Sequence, residues 1–278
     1  MKPRVIVTGA GGYLGSLLMR VFQAKGWETL PWTRTGGAGH GARFVLGEEI
    51  PVLPMQGVRA LVHCAYDFRP TKWREAHRIN SAGSQKLFAT ARAAKIPRLV
   101  FVSTMSAFPG CVSMYGKIKL EVEEFCLSQE VFCARPGLLW SAQPGGMYQR
   151  LSQMAGRLPV LPLFGDGRQK LAFSHAEDLA VGLETFCRGD EPPPAEAIVT
   201  AFPQLFSFRE ILESLARLQA KNPHFFPIPV WPVLSGLRLA ELLHLPAPFK
   251  SDSLISLLHQ DPNPVFSSRI PLREWPAA

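Results

Sequence analysis

Short apolar runs alternate with longer amphipathic segments along the first half of the chain. The predicted strands are Arg4–Thr8, Ala60–Ala65, Arg98–Thr104 and Val131–Pro136, and the predicted helices are Tyr13–Lys25, Trp73–Lys95 and Tyr115–Leu127. Such alternation is typical of parallel strands joined by crossover helices. We therefore expect an α/β fold with a doubly wound parallel sheet, which binds its ligands at the carboxyl edge of the strands.

A glycine-rich turn joins the first predicted strand to the first predicted helix. Its glycines follow GxxGxxG spacing: Gly9 permits the tight turn, Gly12 lets the backbone approach a pyrophosphate, and Gly15 permits close helix packing. The helix N-terminus offers free N–H groups to phosphates. The alternative is a glycine turn without a ligand. We predict a Rossmann fold that holds a nicotinamide dinucleotide through Gly9, Gly11, Gly12, Tyr13, Leu14 and Gly15.

Proline and glycine become frequent after Trp140, which indicates that the sheet gives way to other structure. We predict a dinucleotide-binding Rossmann domain over residues 1–140. An amphipathic helical pattern within 171–187 is expected to pack back on that domain, and a second such helix is expected at Phe208–Gln219. Residues 141–170 and 188–278 are expected to form a small C-terminal substrate-binding lobe.

The residue after the second strand bears on which dinucleotide is bound. Sites selective for NAD usually place Asp or Glu there to accept from the ribose hydroxyl. This chain has Arg34, followed by the glycine-rich stretch 36–41, which we interpret as a loop. A guanidinium can pair with a 2′-phosphate, whereas a carboxylate would repel it. We therefore expect NADP(H) in preference to NAD(H); the alternative is that Arg34 only ends the strand in solvent.

Composition narrows the class of protein. The formal net charge of +8 favours anionic partners, but the cations are scattered and form no basic run, so an anionic small molecule is expected and nucleic acid is not. Five cysteines without CxxC spacing argue against a disulfide framework and against a metal site. The N-terminus passes straight into a strand pattern without a signal peptide, which predicts a cytoplasmic protein.

Tyr115 and Lys119 stand four positions apart and therefore share one face of a predicted helix. A neighbouring cation favours the phenolate, so Tyr115 could exchange a proton near neutral pH. Thr104 ends an apolar strand at the sheet edge and can donate to the oxygen that Tyr115 protonates. This arrangement predicts an acid–base site for an alcohol or a carbonyl group. The alternative is that Tyr115 is an ordinary surface or core residue.

With these motifs in place, the chain resembles the extended branch of the short-chain dehydrogenase/reductase superfamily, the NAD-dependent epimerase/dehydratase family. The resemblance runs in family order from Val5 to Ala180. The matching pieces are Thr8–Gly15, His63–Tyr66, Asn80 with Gly83, Ser103-Thr104, Tyr115–Lys119 with Glu123, Arg135-Pro136 and Phe173–Ala180.

The resemblance implies roles for the residues that match the family's motifs. Tyr115 would be the general acid or base, Lys119 would lower its pKa and bind ribose, and Thr104 would position the reacting oxygen. Ala65 and Pro136 would border the cofactor.

Asn80 would support the proton-relay side of the site, on the same resemblance. The alternative is that it only caps a helix. Two departures from the family pattern are visible. The loop Met105–Met114 is shorter than is usual in extended members, so the substrate pocket is expected to differ. The strand-end Thr is followed by Met-Ser in place of an acidic pair, which disfavours dehydration.

The substrate is expected to be a nucleotide-activated sugar, because the C-terminal segment supplies cations that could clamp a diphosphate. These cations are Arg150, Arg157, Arg168, Lys170 and Lys250. The alternative is a solvated basic surface. Hydride transfer could give a net reduction, which we favour, or an epimerisation. A different class of function is a non-catalytic NADP(H)-binding sensor or assembly protein of the same fold.

The most apolar stretch, Pro227–Leu245, is interrupted by Pro229, Pro232, Arg238, Glu241 and His244 and is too broken to span a membrane. We interpret it as a lobe helix or as the face of a homodimer. Peripheral contact with a membrane is the alternative.

Overall fold

The predicted alternation of strands and helices is present in the computed structural model, which describes residues 2–36, 41–52, 55–247 and 249–277. Its strands are β1 Arg4–Thr8, β2 Glu28–Thr33, β3 Ala42–Arg43, β4 Ala60–His63, β5 Arg98–Val102, β6 Phe132–Pro136, β7 Leu138–Trp140, β8 Val160–Phe164, β9 Lys170–His175, β10 Ile198–Thr200, β11 Leu205–Ser207 and β12 His224–Ile228. Its helices are α1 Tyr13–Ala24, α2 Trp73–Ala76, α3 Gly83–Ala93, α4 Met114–Ser128, α5 Gly146–Arg157, α6 Ala176–Arg188, α7 Phe208–Arg217, α8 Val230–Leu242 and α9 Ser251–Leu258. A π-helical turn, His77–Ala82, joins α2 to α3. Positions 37–40 of the glycine-rich stretch lie outside the described residues.

The central sheet has seven parallel strands within the described ranges, in the order β10-β6-β5-β4-β1-β2-β3. The strand order reverses direction at β1, which pairs with β2 on one side and β4 on the other. In doubly wound sheets a ligand crevice opens at such a switch point, beyond the carboxyl ends of the strands. The predicted fold class is confirmed.

Two apolar cores cover the two faces of this sheet. On one face Leu14 and Leu18 of α1 pack in the same cluster as Leu183 of α6, so α6 packs back on the sheet. On the other face Phe88 of α3 and Val122 of α4 close the second cluster. Burial on both faces explains why the strands are continuous apolar runs.

The glycine turn is fixed by close backbone contacts. Gly9 adopts φ +69°, and a Cβ there would lie 2.9 Å from the backbone nitrogen of Ala65. A Cβ on Gly15 would collide with the carbonyl oxygen of Gly9. Both positions therefore require glycine for the turn itself, because any side chain would push α1 away from β1 and β4.

The elements after Trp140 build a third apolar cluster around a three-stranded sheet, β11-β9-β7, and a two-stranded sheet, β12-β8. Phe173 of β9 stacks on Trp275 with ring centroids 4.1 Å apart. The central sheet extends further along the sequence than expected, because Ile198–Thr200 pairs with β6 as its edge strand. Three residues are too few to show a periodicity. The division into a Rossmann domain and a substrate-binding lobe remains a prediction.

Candidate active site

A groove of about 590 Å³ lies at the carboxyl edge of the central sheet. It is lined by every residue that the sequence predicted to bind the cofactor: Gly9, Gly11, Gly12, Tyr13, Leu14, Gly15, Arg34, Ala65, Lys119 and Pro136. Thr104 and Tyr115 also line it. The fold thus brings segments that are far apart in the sequence to one crevice.

The N-terminus of α1 opens into this groove and suits a pyrophosphate. Gly12 stands at the N-cap, the first turn carries no acid, and no side chain of the described residues caps it. The first N–H groups of a helix lack partners within the helix and carry partial positive charge. An uncapped helix end that faces a groove is a fitting site for the phosphates of a dinucleotide.

Two charged residues, Arg34 and Asp67, line another part of the groove. Arg34 is exposed there, immediately after β2. Asp67 also lines the groove, but its carboxylate receives hydrogen bonds from the Arg69 guanidinium, the shortest at 2.6 Å. These bonds hold the pKa of Asp67 below its ordinary value. The acid near the groove therefore already has a cationic partner.

Asn80 does not reach the groove. It lies buried in the π-helical turn, where its Oδ1 accepts from the Asp67 backbone N–H at 2.7 Å and its Nδ2 donates to the Asp67 carbonyl at 2.9 Å. Both ends of the side-chain amide are used by one backbone segment. In this structure Asn80 braces the loop after β4 and does not cap a helix, and its support of the proton-relay side of the site remains a prediction.

Tyr115 stands where the groove meets a second cavity, and Thr104 lines both spaces with it. Burial raises the pKa of Tyr115 to about 12, and the interaction with the Thr104 side chain offsets this only in part. We expected the opposite direction from the nearby cation. Desolvation is the dominant cause here, so the phenol is protonated at neutral pH and is suited to donate a proton.

Lys119 is buried beneath the groove, one helical turn after Tyr115. Its Nζ donates to the Val102 carbonyl at 2.7 Å and lies 4.5 Å from the centroid of the Phe101 ring. Burial lowers the pKa of Lys119 to about 8. The ammonium is thus anchored to the end of β5, and its contact with Tyr115 is through the ring, 5.9 Å from the centroid.

Asp252, a residue that sequence reasoning did not single out, holds the start of the helix that carries Tyr115. Its two carboxylate oxygens accept from the backbone N–H groups of Met114 at 2.7 Å and of Tyr115 at 2.8 Å. Ser113 caps the same helix end by accepting from the Gly116 N–H. Asp252 belongs to α9, far from α4 in the sequence, so no local sequence motif predicts this contact.

The second cavity, of about 280 Å³, adjoins the groove at Tyr66, Phe68, Thr104, Tyr115, Pro136 and Gly137. About half of its remaining lining residues are apolar, among them Met105, Met114, Leu138, Met147, Leu171 and Leu257. The polar lining residues come mainly from positions 241–260, on α8, α9 and the segments beside them, among them Glu241, Lys250, Ser251, Asp252 and Gln260. The cavity can hold an apolar group beside the Tyr115 phenol.

The cations expected to clamp a diphosphate are not gathered around this cavity. Lys250 lines it. Arg168 instead pairs with Asp166 at 3.5 Å, and Lys170 pairs with Glu210 at 3.7 Å. Arg150 and Arg157 are exposed on α5 and do not line either of the two cavities.

The described residues hold no cluster of three or more His, Cys, Asp or Glu side chains that could bind a metal ion.

The chain was compared with known proteins. The NAD dependent epimerase/dehydratase family matches residues 5–199. Ceramide reductase of Caulobacter vibrioides (strain NA1000 / CB15N) is 25% identical over 94% of this chain and 86% of its own length. 2-Alkyl-3-oxoalkanoate reductase of Stenotrophomonas maltophilia (strain K279a) is 25% identical over 64% of this chain and 63% of its own length.

The fold is also found in solved structures. That of MoeE5 in complex with UDP-glucuronic acid and NAD superposes with a TM-score of 0.68 at 22% identity, covering 81% of this chain and 85% of the other. The family match spans the groove, the glycine turn and the Tyr115 helix. The chain therefore belongs to the NAD-dependent epimerase/dehydratase family and is an NAD-dependent enzyme of the extended short-chain dehydrogenase/reductase type.

Proposed function

We propose that this protein reduces the carbonyl group of a mostly apolar substrate, with Tyr115 as the proton donor and a reduced nicotinamide dinucleotide in the groove. One observation carries the proposal. Tyr115 and Thr104 both line the nucleotide groove and the apolar cavity, at the junction of the two. A carbonyl carbon at this junction has the groove on one side and an acid on the other.

The residues divide the chemistry as follows. A reduced nicotinamide dinucleotide, held at the glycine turn and the N-terminus of α1, would supply the hydride for the carbonyl carbon. Tyr115 gives its phenolic proton to the carbonyl oxygen, so the two-electron reduction yields an alcohol. The Thr104 hydroxyl donates to the same oxygen and orients it. Lys119 places positive charge beneath the site and stabilises the phenolate that remains until a proton returns from solvent.

The protonation state of Tyr115 suits the reductive direction. A phenol whose pKa is raised to about 12 is an acid at neutral pH, ready to protonate an alkoxide as it forms. The reverse reaction, oxidation of an alcohol, would need the phenolate first. We therefore favour net reduction over epimerisation, which requires both directions in turn.

NADP(H) is the cofactor that the groove supports best. Arg34 is an exposed cation that lines the groove immediately after β2, and the Asp67 carboxylate is paired with Arg69. An exposed guanidinium can form a bidentate pair with a phosphate. MoeE5 was solved with NAD, so the preference for NADP(H) belongs to the particular residues of this chain.

The apolar cavity wall supports a substrate with an apolar chain, and two relatives are reductases of such compounds by name, a ceramide reductase and a 2-alkyl-3-oxoalkanoate reductase. A nucleotide-activated sugar is the second candidate. It is favoured by MoeE5, which binds UDP-glucuronic acid, and by Lys250 in the cavity wall. The scattered positions of the other cations favour the apolar substrate.

The test is a comparison of carbonyl substrates by the loss of NADPH absorbance. 3-Oxo esters of increasing alkyl length are compared with UDP-4-keto sugars at equal concentration. We expect kcat/KM to rise with chain length for the esters and to exceed that for the sugars. A higher kcat/KM for the nucleotide sugars would reverse the assignment of the substrate, and turnover of neither class by a NADPH-binding protein would favour a sensor or assembly role.

A further inference from the structure

Helix α8 has two different faces. Its inner face packs into the third apolar cluster through buried Leu237 and partly buried Val233 and Leu234. Its outer face remains exposed although it is rich in large apolar side chains. The exposed fractions are 74% for Trp231, 55% for Leu239 and 73% for Leu242, and Leu243 and Leu245 follow at 56% each. The expectation of a lobe helix is therefore met by one face only.

The exposed side chains form one continuous stripe. Counted from Trp231, the positions of Arg238, Leu239 and Leu242 lie seven, eight and eleven residues further, which at 3.6 residues per turn places all four on the same side of the helix. We call this surface, with Leu243, His244 and Leu245, the α8 face. Large apolar side chains that cluster in solvent mark an interaction site more often than scattered ones do.

Charge on the α8 face has a single sign. Arg238 and His244 are exposed within it. Glu241 is the sole acid between Val230 and Ala247, and it is turned inward, where its carboxylate accepts from the Ser251 N–H at 2.7 Å and from the Ser251 hydroxyl at 2.9 Å. The face thus joins an apolar stripe to the Arg238 cation and the polar His244 side chain, without an exposed carboxylate.

We propose that the α8 face docks on an anionic lipid bilayer. An amphipathic helix with tryptophan and leucine on its apolar side and basic residues among them lies in the plane of the interface, with its apolar side chains below the headgroups. Tryptophan prefers the depth of the headgroups. Among the described residues no helix is long and apolar enough to cross the bilayer, so the contact is peripheral.

A second copy of this chain is a less suitable partner for the same face. In a two-fold interface the same surface meets itself, so both Arg238 side chains would be buried in one apolar contact. No acid on the face would compensate for them. Lipid phosphates neutralise Arg238 and accept its hydrogen bonds, which makes an anionic bilayer the complementary surface.

The position of α8 links the docking face to the substrate cavity. Glu241, on the inner side of the helix, lines that cavity together with Lys250 and Ser251. A substrate with a long apolar chain partitions into bilayers, and a cavity held against the bilayer would receive it directly. This use of the surface rests on the proposed function, whereas the docking itself does not.

Docking is tested on the full chain by co-sedimentation with vesicles of phosphatidylcholine, with or without phosphatidylglycerol. We expect pelleting with the anionic vesicles, weakened by salt. Trp231→Ser with Leu242→Ser should weaken the apparent affinity by about tenfold or more, because two apolar side chains no longer enter the bilayer. Arg238→Glu should remove the preference for anionic lipid. Val265→Ser is the matched control, since Val265 is 83% exposed and lies outside the face.

The outcomes separate the docking from the proposed function. The melting temperature followed by circular dichroism should be equal in wild type and in the Trp231/Leu242 variant, which shows that the variant is folded. Failure of the wild type to pellet with anionic vesicles, or equal pelleting of the double variant, overturns the proposal. So does a dimer in light scattering that the double variant dissociates, because the α8 face would then be its interface. Each result is independent of which substrate is reduced.

Discussion

Replacing Asp252 with alanine removes its two carboxylate oxygens, which accept hydrogen bonds at the start of α4, the helix that carries Tyr115. The carboxylate takes the N–H groups of Met114 and Tyr115 at 2.7 and 2.8 Å, and alanine leaves both without a protein partner. Loss of a helix cap costs about 0.5–2 kcal/mol, and loss of a negative charge at a helix N-terminus costs about 0.3–1 kcal/mol. We therefore expect the free energy of unfolding to fall by about 1–2 kcal/mol.

The catalytic effect follows from the position of Tyr115 in the first turn of α4. If that turn must be ordered anew in the transition state at a cost of about 1.4 kcal/mol, kcat falls about tenfold. NADPH affinity should be unchanged, because Asp252 does not line the groove. Asp252→Asn keeps one acceptor oxygen and should give an intermediate loss.

The assay combines urea denaturation with kcat, KM and NADPH titration for wild type, the two Asp252 variants and a control. Asp166→Ala serves as the control because that carboxylate is exposed and pairs with Arg168. A rise in KM with unchanged kcat would refute the reasoning, since Asp252 would then contact the substrate instead of positioning Tyr115. An unchanged kcat in a destabilised variant would likewise limit Asp252 to a structural role.

Three further outcomes are expected. Tyr115→Phe should lose nearly all turnover and keep NADPH binding, and retained turnover would assign the proton to another donor. Arg34→Ala should weaken NADPH binding about tenfold, because one charge-assisted pair with the phosphate is lost, and should leave NADH binding unchanged. Arg74→Ala, a substitution outside the groove, is its control. Equal losses of affinity for both cofactors would contradict the NADP(H) assignment. The reduction rate should fall as the pH rises past about 8, because Lys119 loses its proton there. The Tyr115 phenol ionises only at about 12, so it does not cause this fall. A flat kcat/KM profile from pH 7 to about 10 would show that Lys119 takes no part in the chemistry.

The fold and the cofactor groove could be predicted because their signals are local. The apolar runs indicate strands that are buried on both faces. The glycine spacing indicates positions where the backbone passes so close to Gly9 and Gly15 that no side chain fits, as the Ala65 backbone does at Gly9. The spacing of Tyr115 and Lys119 likewise places both on one helix face. Each of these inferences needs only residues close in sequence, or a periodicity.

The remainder of the site depends on contacts between distant segments. Asp252 meets α4 from 137 and 138 positions away, and no periodicity encodes that meeting. Asn80 has the residue type expected at the site, but the π-helical turn directs its amide to the Asp67 backbone. The pKa of Tyr115 is governed by burial, which a spacing of residues does not report. The number of cations in the sequence likewise does not report which acids lie beside them, as the pairing of Arg168 with Asp166 shows.

Ser251 donates hydrogen bonds to Glu241, and the backbone amides of Met114 and Tyr115 donate to Asp252, so these bonds tie α8 and α9 to the helix that carries Tyr115. A gene fragment that stopped after the central sheet would encode the whole nucleotide groove and the Ser113 cap of α4, and would still lack the two acceptor oxygens of Asp252. The two halves are consequently not exchangeable modules. A new C-terminal segment grafted onto this sheet would have to supply its own acceptor for the first amides of α4. Exchanging that segment to change substrate specificity would therefore also change how Tyr115 is held.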